Sequence, residues 1–494
     1  MQSLTSELLT AFFLKRLEKY NPILNAFSTV LRAQAMQDAK ASDARRKAGV
    51  SRGLLDGIPV AITDVISTSG ARMNTTVGTL AGTAVSRSGD MSREKSGQMN
   101  EEMSSEPGGS GSAVSTGNTS AGGMNEGSII ADSSGDFTAA LMLRLQSHGA
   151  IVIGRTHTVG FGVDDWGVDA CTGGPQNPWD RNYPRVPGGA CSGAAVAVAA
   201  GLVPCAIGVD MGGSLRIPAA FCSLTGLKMS AGLADLSGTL PLVPMLDSVG
   251  PMTHTADDAA ILYHALTSEP GQWLDEPYHR LLDDGNGLEG MTLGVMPDEQ
   301  YDVDVQRSVR LGLRDMVRMA EMAGATIVRE RPPVSFEQAF VNTGLLVAAH
   351  AWRQYSERVQ AGGLSLRPAA SMRLVSGRDI SQMQYDDLLA AHQAAVIQWQ
   401  TWMADKDAFM VPGAPAIPPL VSGRRQAPSP AFFTRYASWT GASALALPAG
   451  FDPGNMPVST QLIGKANDDR LLLRIGSVIQ SLTAWHCYSP TLKF

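Results

Sequence analysis

Apolar positions along the chain alternate between two periods, and the alternation predicts an α/β protein. Leu8, Phe12 and Leu17 recur at near-helical spacing behind Thr5 and Ser6, either of which can cap, and helix is predicted over 5–47, ending in the charged segment Asp43 to Lys47. The run Gly57 to Ile62, GIPVAI, is short, β-branched and follows a glycine, as a buried strand does. Asp136 to Leu145 reads as helix and Ile151 to Gly154 as strand, and Ala/Val-rich helices follow the glycine-rich turns beyond 185. Met291 to Met296 is the next strand. Val305, Val309, Leu313, Met316 and Ala320 mark a helix face that Gly324 can cap, and Ala325 to Val328 returns to strand. Phe409 to Pro412 and Ala444 to Pro448 are late strands. Strands separated by helices throughout predict a largely parallel or mixed sheet covered on both faces.

Composition changes the picture at one place. From about 86 to 134 the chain is Ser, Gly, Asn, Met and Glu with almost no large aliphatics, so it cannot bury enough apolar surface to offset its ordering entropy. It is expected to be a disordered insertion within one domain spanning 1–494. Elsewhere, 494 residues with 44% hydrophobic content are enough for a large buried core. A net charge of −7 gives no basic footprint, so no nucleic-acid ligand is expected. The five cysteines are scattered without CxxC spacing, which argues for reduced thiols, and the eight histidines form no HxxxH or HExxH pair; no metal and no cofactor is expected. The apolar patch Leu8 to Leu14 lacks a basic flank before it and meets Lys15 and Arg16 after it, so it reads as a surface helix and not a signal peptide. With no apolar run long enough to span a bilayer, the expected location is the cytoplasm.

The chemistry is concentrated in two glycine-rich turns, RVPGGACSGAAVAVAAG at 185–201 and IGVDMGGSLRIP at 207–218. Neither carries the GxGxxG of a dinucleotide site or the GxxxxGK[ST] of a phosphate loop. Two readings stay open on physics alone. The glycines can serve tight helix–sheet packing. They can also let consecutive N–H groups of Asp210-Met211-Gly212-Gly213-Ser214 converge beside the Ser214 hydroxyl, as an acyl-transfer site requires.

PGGACSGAAVAVAAG followed by GVDMGGSLRIPAAFCSLTGLK resembles the amidase signature, GGSSGGSxAAVAAG followed by G[ST]D[TI]GGS[IL]RxPAAFCGxxGLKP. GLLDGIPVAITDVISTSG is similar to that family's GPLxGIPxxxKDxxxxxG segment, and the opening helix and the block LPAGFDPGNMPVSTQLIGKANDDRLLLRIG also match. The likeness extends over nearly everything outside 86–134 and 330–400. It implies a single α/β/α domain around a large mixed sheet, a small-molecule amide or acyl substrate, and a Ser–Ser–Lys catalytic triad. It also leaves room for a homodimer. Carried over position by position, the nucleophile falls on Ser214 and the oxyanion donors on the backbone of Met211, Gly212, Gly213 and Ser214. The lysine base falls on Thr63, and the bridging serine on Ala190.

Both relay positions are therefore substituted. A threonine is no base near neutral pH and a methyl passes no proton, so Ser214 keeps its nest without its activator. Lys228 and Arg216 read as structural, His157 as a packing or surface residue, Cys191 as a buried inert thiol and Asp64 as a backbone anchor near the old lysine position. Two functions follow. One is amide hydrolysis or acyl transfer through Ser214 with a degraded relay. The other is a non-catalytic pseudo-amidase that binds or scaffolds. The amidase component of a tRNA-dependent amidotransferase is disfavoured, because releasing ammonia from glutamine needs the whole triad.

Overall fold

The computed structural model describes residues 4–68, 138–169, 173–268, 287–361 and 368–492. The expected insertion at 86–134 lies outside the described residues, as does Cys171. Among them, in chain order, run α1 (Ser6–Leu24), β1 (Phe27–Val30), α2 (Arg32–Lys47), β2 (Pro59–Thr63), α3 (Ala140–Ser147), β3 (Ile151–Thr156), α4 (Ser192–Ala199), β4 (Cys205–Asp210) and α5 (Arg216–Phe221). Then follow β5 (Thr225–Lys228), β6 (Ser248–Thr253), α6 (Ala256–Thr267), β7 (Thr292–Val295), α7 (Arg307–Met322), β8 (Thr326–Arg329) and α8 (Phe336–Gln360). The chain closes with α9 (Pro368–Val375), α10 (Gln382–Trp402), β9 (Ala408–Pro412), α11 (Thr434–Trp439), β10 (Ala444–Phe451), β11 (Pro457–Ile463) and α12 (Asp469–Ser481).

The strands form one sheet in the order β1-β3-β2-β4-β6-β5-β10-β11-β9-β7-β8. It is mixed: β2 runs parallel to β3 and β4, and β7 parallel to β8 and β9, while the other pairs are antiparallel. Alternation along the strands splits the core in two. Val60, Ile62, Val152, Ile207, Leu445 and Leu447 point into the larger cluster with α3, α6 and α7. Their neighbours Ala61, Ile151, Ile153, Ala206 and Ala446 point into a second one with α1, α2 and α4. α4 is buried all round, and its SGAAVAVA sequence lets it lie close against the sheet.

Two local expectations need correction. The stretch 5–47 is not one helix: Asn25 takes a left-handed φ of 49° at the end of α1, and Phe27 then enters the sheet opposite Thr156. Tertiary pairing overrides the helical pattern there. The face assignment of α1 also changes, because Leu8 and Phe12 are exposed while Thr10, Leu14, Leu17 and Leu24 are buried. Thr5 is the cap, accepting the Leu8 N–H.

Because β3, β2 and β4 are adjacent and parallel, their C-terminal ends open at one edge of the sheet, where ligands of α/β folds gather. Thr63 ends β2, the segment 157–169 leaves β3, and the turn carrying Ser214 leaves β4.

Candidate active site

The turn after β4 is organised by Asp210. Its carboxylate accepts the Gly213 N–H at 2.8 Å, the Arg216 N–H at 3.2 Å and the Leu215 N–H at 3.3 Å. Arg216 is fully buried and engages all five of its N–H groups. Two go to Asp210 at 2.8 and 2.9 Å, and the others to Thr434 O, Gln461 Oε1 and Ser438 Oγ. Burial by itself would raise the Asp210 carboxyl, but Arg216, with Lys228 beyond it, holds it below the usual carboxylate range. Arg216 is thus a structural residue, as expected.

Gly213 has φ +119°, and a Cβ there would fall 2.2 Å from Thr434 Oγ1, so glycine is required. Thr434 Oγ1 donates to Gly212 O at 2.9 Å and fixes that peptide. Since the Gly213 amide is committed to Asp210, the donors that the turn leaves without a partner among the described residues are Met211, Gly212 and Ser214. These three line a cavity of about 310 Å³ with Gly162, Val163, Asp165, Arg373 and Arg435.

The two glycine-rich turns are locked together. Cys191 N–H donates to Ser214 O at 3.0 Å, and a Cβ on Gly189 would lie 2.8 Å from the same oxygen. Val159 N–H donates to Ala190 O at 2.8 Å, and Thr158 N–H donates to Asp64 Oδ1 at 3.0 Å. A continuous set of hydrogen bonds therefore joins the ends of β2 and β3 to the first turn, and the first turn to the second.

Ser214 is 8% exposed, and its hydroxyl donates to Gly162 O at 2.9 Å. A peptide carbonyl is no base. It is presented by an unusual backbone, with Gly160, Phe161 and Gly162 at φ of 64°, 59° and 82°. Phe161 holds this non-glycine left-handed conformation while packing edge-on against Tyr355, with ring centroids 5.2 Å apart.

Thr63 and Ala190 are both fully buried. The Thr63 hydroxyl has no hydrogen-bond partner among the described residues, and the same holds for the Ser192 hydroxyl two residues after Ala190. Cys191 is buried with its thiol on Val209 O, and burial raises its pKa far above that of an ordinary thiol, as expected of an inert cysteine. Lys228 donates to Ala442 O at 2.9 Å and Met229 O at 3.3 Å; burial, with Arg216 close by, lowers it to about 8. His157 uses its backbone to tie β1 to α4, its N–H donating to Ala26 O and its carbonyl accepting from Gly193. Asp64 anchors backbone, as expected.

Sequence reasoning did not find the far wall of the cavity. Asp165 binds Arg435 at 2.9 and 3.2 Å and Arg373 at 3.1 Å. Burial works to raise the Asp165 carboxyl, but the two guanidiniums hold it below the ordinary range. No local motif surrounds Arg373 or Arg435, and they come from α9 and α11, so nothing short of the fold could have joined them to Ser214.

Comparison with known proteins agrees with this architecture. A family model described as Amidase matches residues 8–90 and 127–473. A glutamyl-tRNA(Gln) amidotransferase component from Cupriavidus pinatubonensis is 28% identical, the match covering 99% of this chain and 95% of that protein. Among solved structures, one described as an amidase superposes with a TM-score of 0.76 at 23% identity, covering 97% of this chain and 96% of that one. The native peptide amidase of Stenotrophomonas maltophilia superposes with a TM-score of 0.72 at 22% identity, covering 97% and 94%. At such identities the superpositions speak for the fold alone.

Proposed function

The chain belongs to the amidase family, and from that premise we propose that its cavity binds an amide carbonyl against the 211–214 turn, with Ser214 at the nucleophile position and the proton relay removed. The observation that carries this reading is the pairing of a retained nest with a nucleophile whose proton sits on a carbonyl. Ser214 Oγ donates to Gly162 O at 2.9 Å, whereas the base and bridge positions are Thr63 and Ala190. The orphaned Thr63 hydroxyl supports it, since a buried unpaired polar group is destabilising and is out of place in a position selected for packing. In this reading the Met211, Gly212 and Ser214 amides are the oxyanion donors, and Gly213 supports them through Asp210 without donating itself.

Losing the base in a serine-nucleophile enzyme removes most of a roughly 10⁶-fold acceleration and leaves about 10³ from nest and binding. The unmodified protein should therefore turn over small linear amides at no more than that residual rate, about 10³ above the uncatalysed reaction, and Ser214→Ala should not lower it. Thr63→Lys with Ala190→Ser should create Ser214-dependent hydrolysis, while each single change does little, because a lysine without its bridge and a bridge without its base are both idle. Ammonia release from a panel of small amides, with a Ser214→Ala control in each background, measures this. Hydrolysis by the unmodified chain that Ser214→Ala abolishes would reveal an unrecognised activator and sink the proposal.

The hydrogen bond that holds Ser214 on Gly162 also favours a second reading, a non-catalytic pseudo-amidase that keeps the pocket for binding. An inert double variant that still binds amides supports it. The role named for the amidotransferase relative is not carried to this chain, because freeing ammonia from glutamine requires the complete relay.

A further inference from the structure

The lining of the cavity beside Ser214 holds more guanidinium than carboxylate, and the donors responsible are not all consumed among the described residues. Asp165, Arg373 and Arg435 are the charged residues among those lining it, so one carboxylate faces two guanidiniums. The neighbouring Asp164 is not among the lining residues; it accepts the Trp166 and Gly167 amides, and burial together with Asp165 raises its carboxyl even though Arg373 lies close enough to pull it down. Donor accounting separates these arginines from Arg216. Arg435 gives Nη1 to Phe340 O and Nη2 to Asp165, which leaves its Nε–H and one Nη1–H without partners among the described residues. Arg373 gives Nη1 to Val163 O and Nη2 to Asp165, which leaves three N–H groups without partners among the described residues.

Arg435 also lies over the reacting centre. A Cβ built on Gly212 would meet its Cγ at 3.5 Å and its Nε at 3.9 Å, so the guanidinium stem rests on the turn that carries Ser214. Its side chain is only 11% exposed, is held over the Phe340 ring at 4.5 Å and is fixed by Asp165, so its geometry is set before any ligand arrives. Arg373, at 37% side-chain exposure, stands nearer the opening. Val341 and Leu345 of α8 line the same cavity and are 47% and 42% exposed.

We propose that Arg435 and Arg373, bridged by Asp165, are specificity-determining residues that select an amide carrying a carboxylate on a short apolar body, such as the half-amide of a dicarboxylic acid. This rests on the amide-binding reading of the same cavity. Two guanidiniums against one lining carboxylate, in a partly water-excluded space, favour a monoanion over its neutral counterpart, and a planar guanidinium matches a carboxylate.

Binding decides it without requiring turnover. Adipamate (the half-amide) and adipamide (the neutral diamide) are titrated calorimetrically into the full chain and its Ser214→Ala variant. Adipamate should bind roughly tenfold or more tightly than adipamide, with the preference shrinking as salt is raised. Arg373→Met and Arg435→Met should each reduce that preference and Arg435→Lys should retain part of it, the preference being read as the ratio of adipamate to adipamide affinity within each variant, so that a general change in the cavity cancels. Should Arg435→Met fail to fold, the more exposed Arg373→Met carries the test alone. Equal binding of both compounds, no measurable binding of either, or a preference that survives loss of Arg373 overturns the inference. The two proposals fail separately: restored hydrolysis in the Thr63→Lys/Ala190→Ser variant without anion preference defeats only this one, and anion preference with no restorable hydrolysis defeats only the amidase reading.

Discussion

Arg216 and Arg435 put the same guanidinium to opposite ends. Arg216 has every donor engaged inside the turn that carries Ser214, so it is a brace; Arg435 keeps donors in the cavity, so it is available to a ligand. Replacing Arg216 by Met should leave the fully buried Asp210 without its paired guanidinium and destabilise the protein by about 3–5 kcal/mol. Urea denaturation followed by circular dichroism tests this, and an unchanged midpoint would refute the bracing role. At this scale the sequence was legible where a motif is local. The proposed roles of Ser214, Thr63 and Ala190 and the structural character of Arg216, Lys228 and Cys191 all follow from short strings. Gly213 is a partial exception: its place in the turn is legible, but its amide is turned to Asp210 and only the fold shows it. Arg373, Arg435 and Asp165 sit in unremarkable helix and loop sequence, and side-chain contacts between distant segments leave no periodicity to read.

Turns, more than helices or strands, position the chemistry. The loop after β3 offers Gly162 O to Ser214, and a Cβ on Gly162 would meet Leu242 Cδ1 at 3.0 Å. Leu242 belongs to a turn held by Asp247, whose Oδ2 accepts the Leu242 and Val243 amides at 2.9 and 3.0 Å. Burial outweighs those two bonds and pushes the Asp247 carboxyl up to about 6 from an ordinary 3.8. A raised carboxyl pKa means the folded state holds the proton more tightly than the unfolded chain. The stability it contributes is complete below pH 3.8 and is lost as pH rises through about 6. Asp247→Asn keeps an acceptor but cannot titrate, so its stability relative to the parent should improve as pH rises between those values. Parallel urea midpoints for the two proteins across that window would contradict it. The same scale holds the clearest misreading. The apolar spacing over 5–47 is helical, yet Phe27–Val30 is a strand because β3 presents an open edge to it. A four-residue strand is decided by its neighbour and not by its own composition.

Among the described residues, one eleven-stranded sheet carries a packed cluster on each face, and the continuous sheet between them is expected to couple their unfolding. Cys191, Cys205 and Cys222 are buried and Cys487 is exposed. In a Cys171→Ser background, one thiol should therefore react rapidly with a disulfide reagent in native conditions, and three more should appear together at the denaturation midpoint. Staggered exposure of the three would show that the two clusters open independently. The sequence by itself determined the α/β alternation, the family resemblance, and the positions to which the proposed nucleophile and the proposed relay substitutions are assigned. Each of these depends on residues close together in the chain, where turn chemistry and periodicity act. The tertiary structure alone decided the strand order, which places the ends of β2, β3 and β4 on one edge. It also decided the resting of Ser214 on Gly162 and the bridging of Arg373 to Arg435 by Asp165. Those depend on distances between segments far apart in the chain, which the packing of the finished sheet sets and no local pattern encodes.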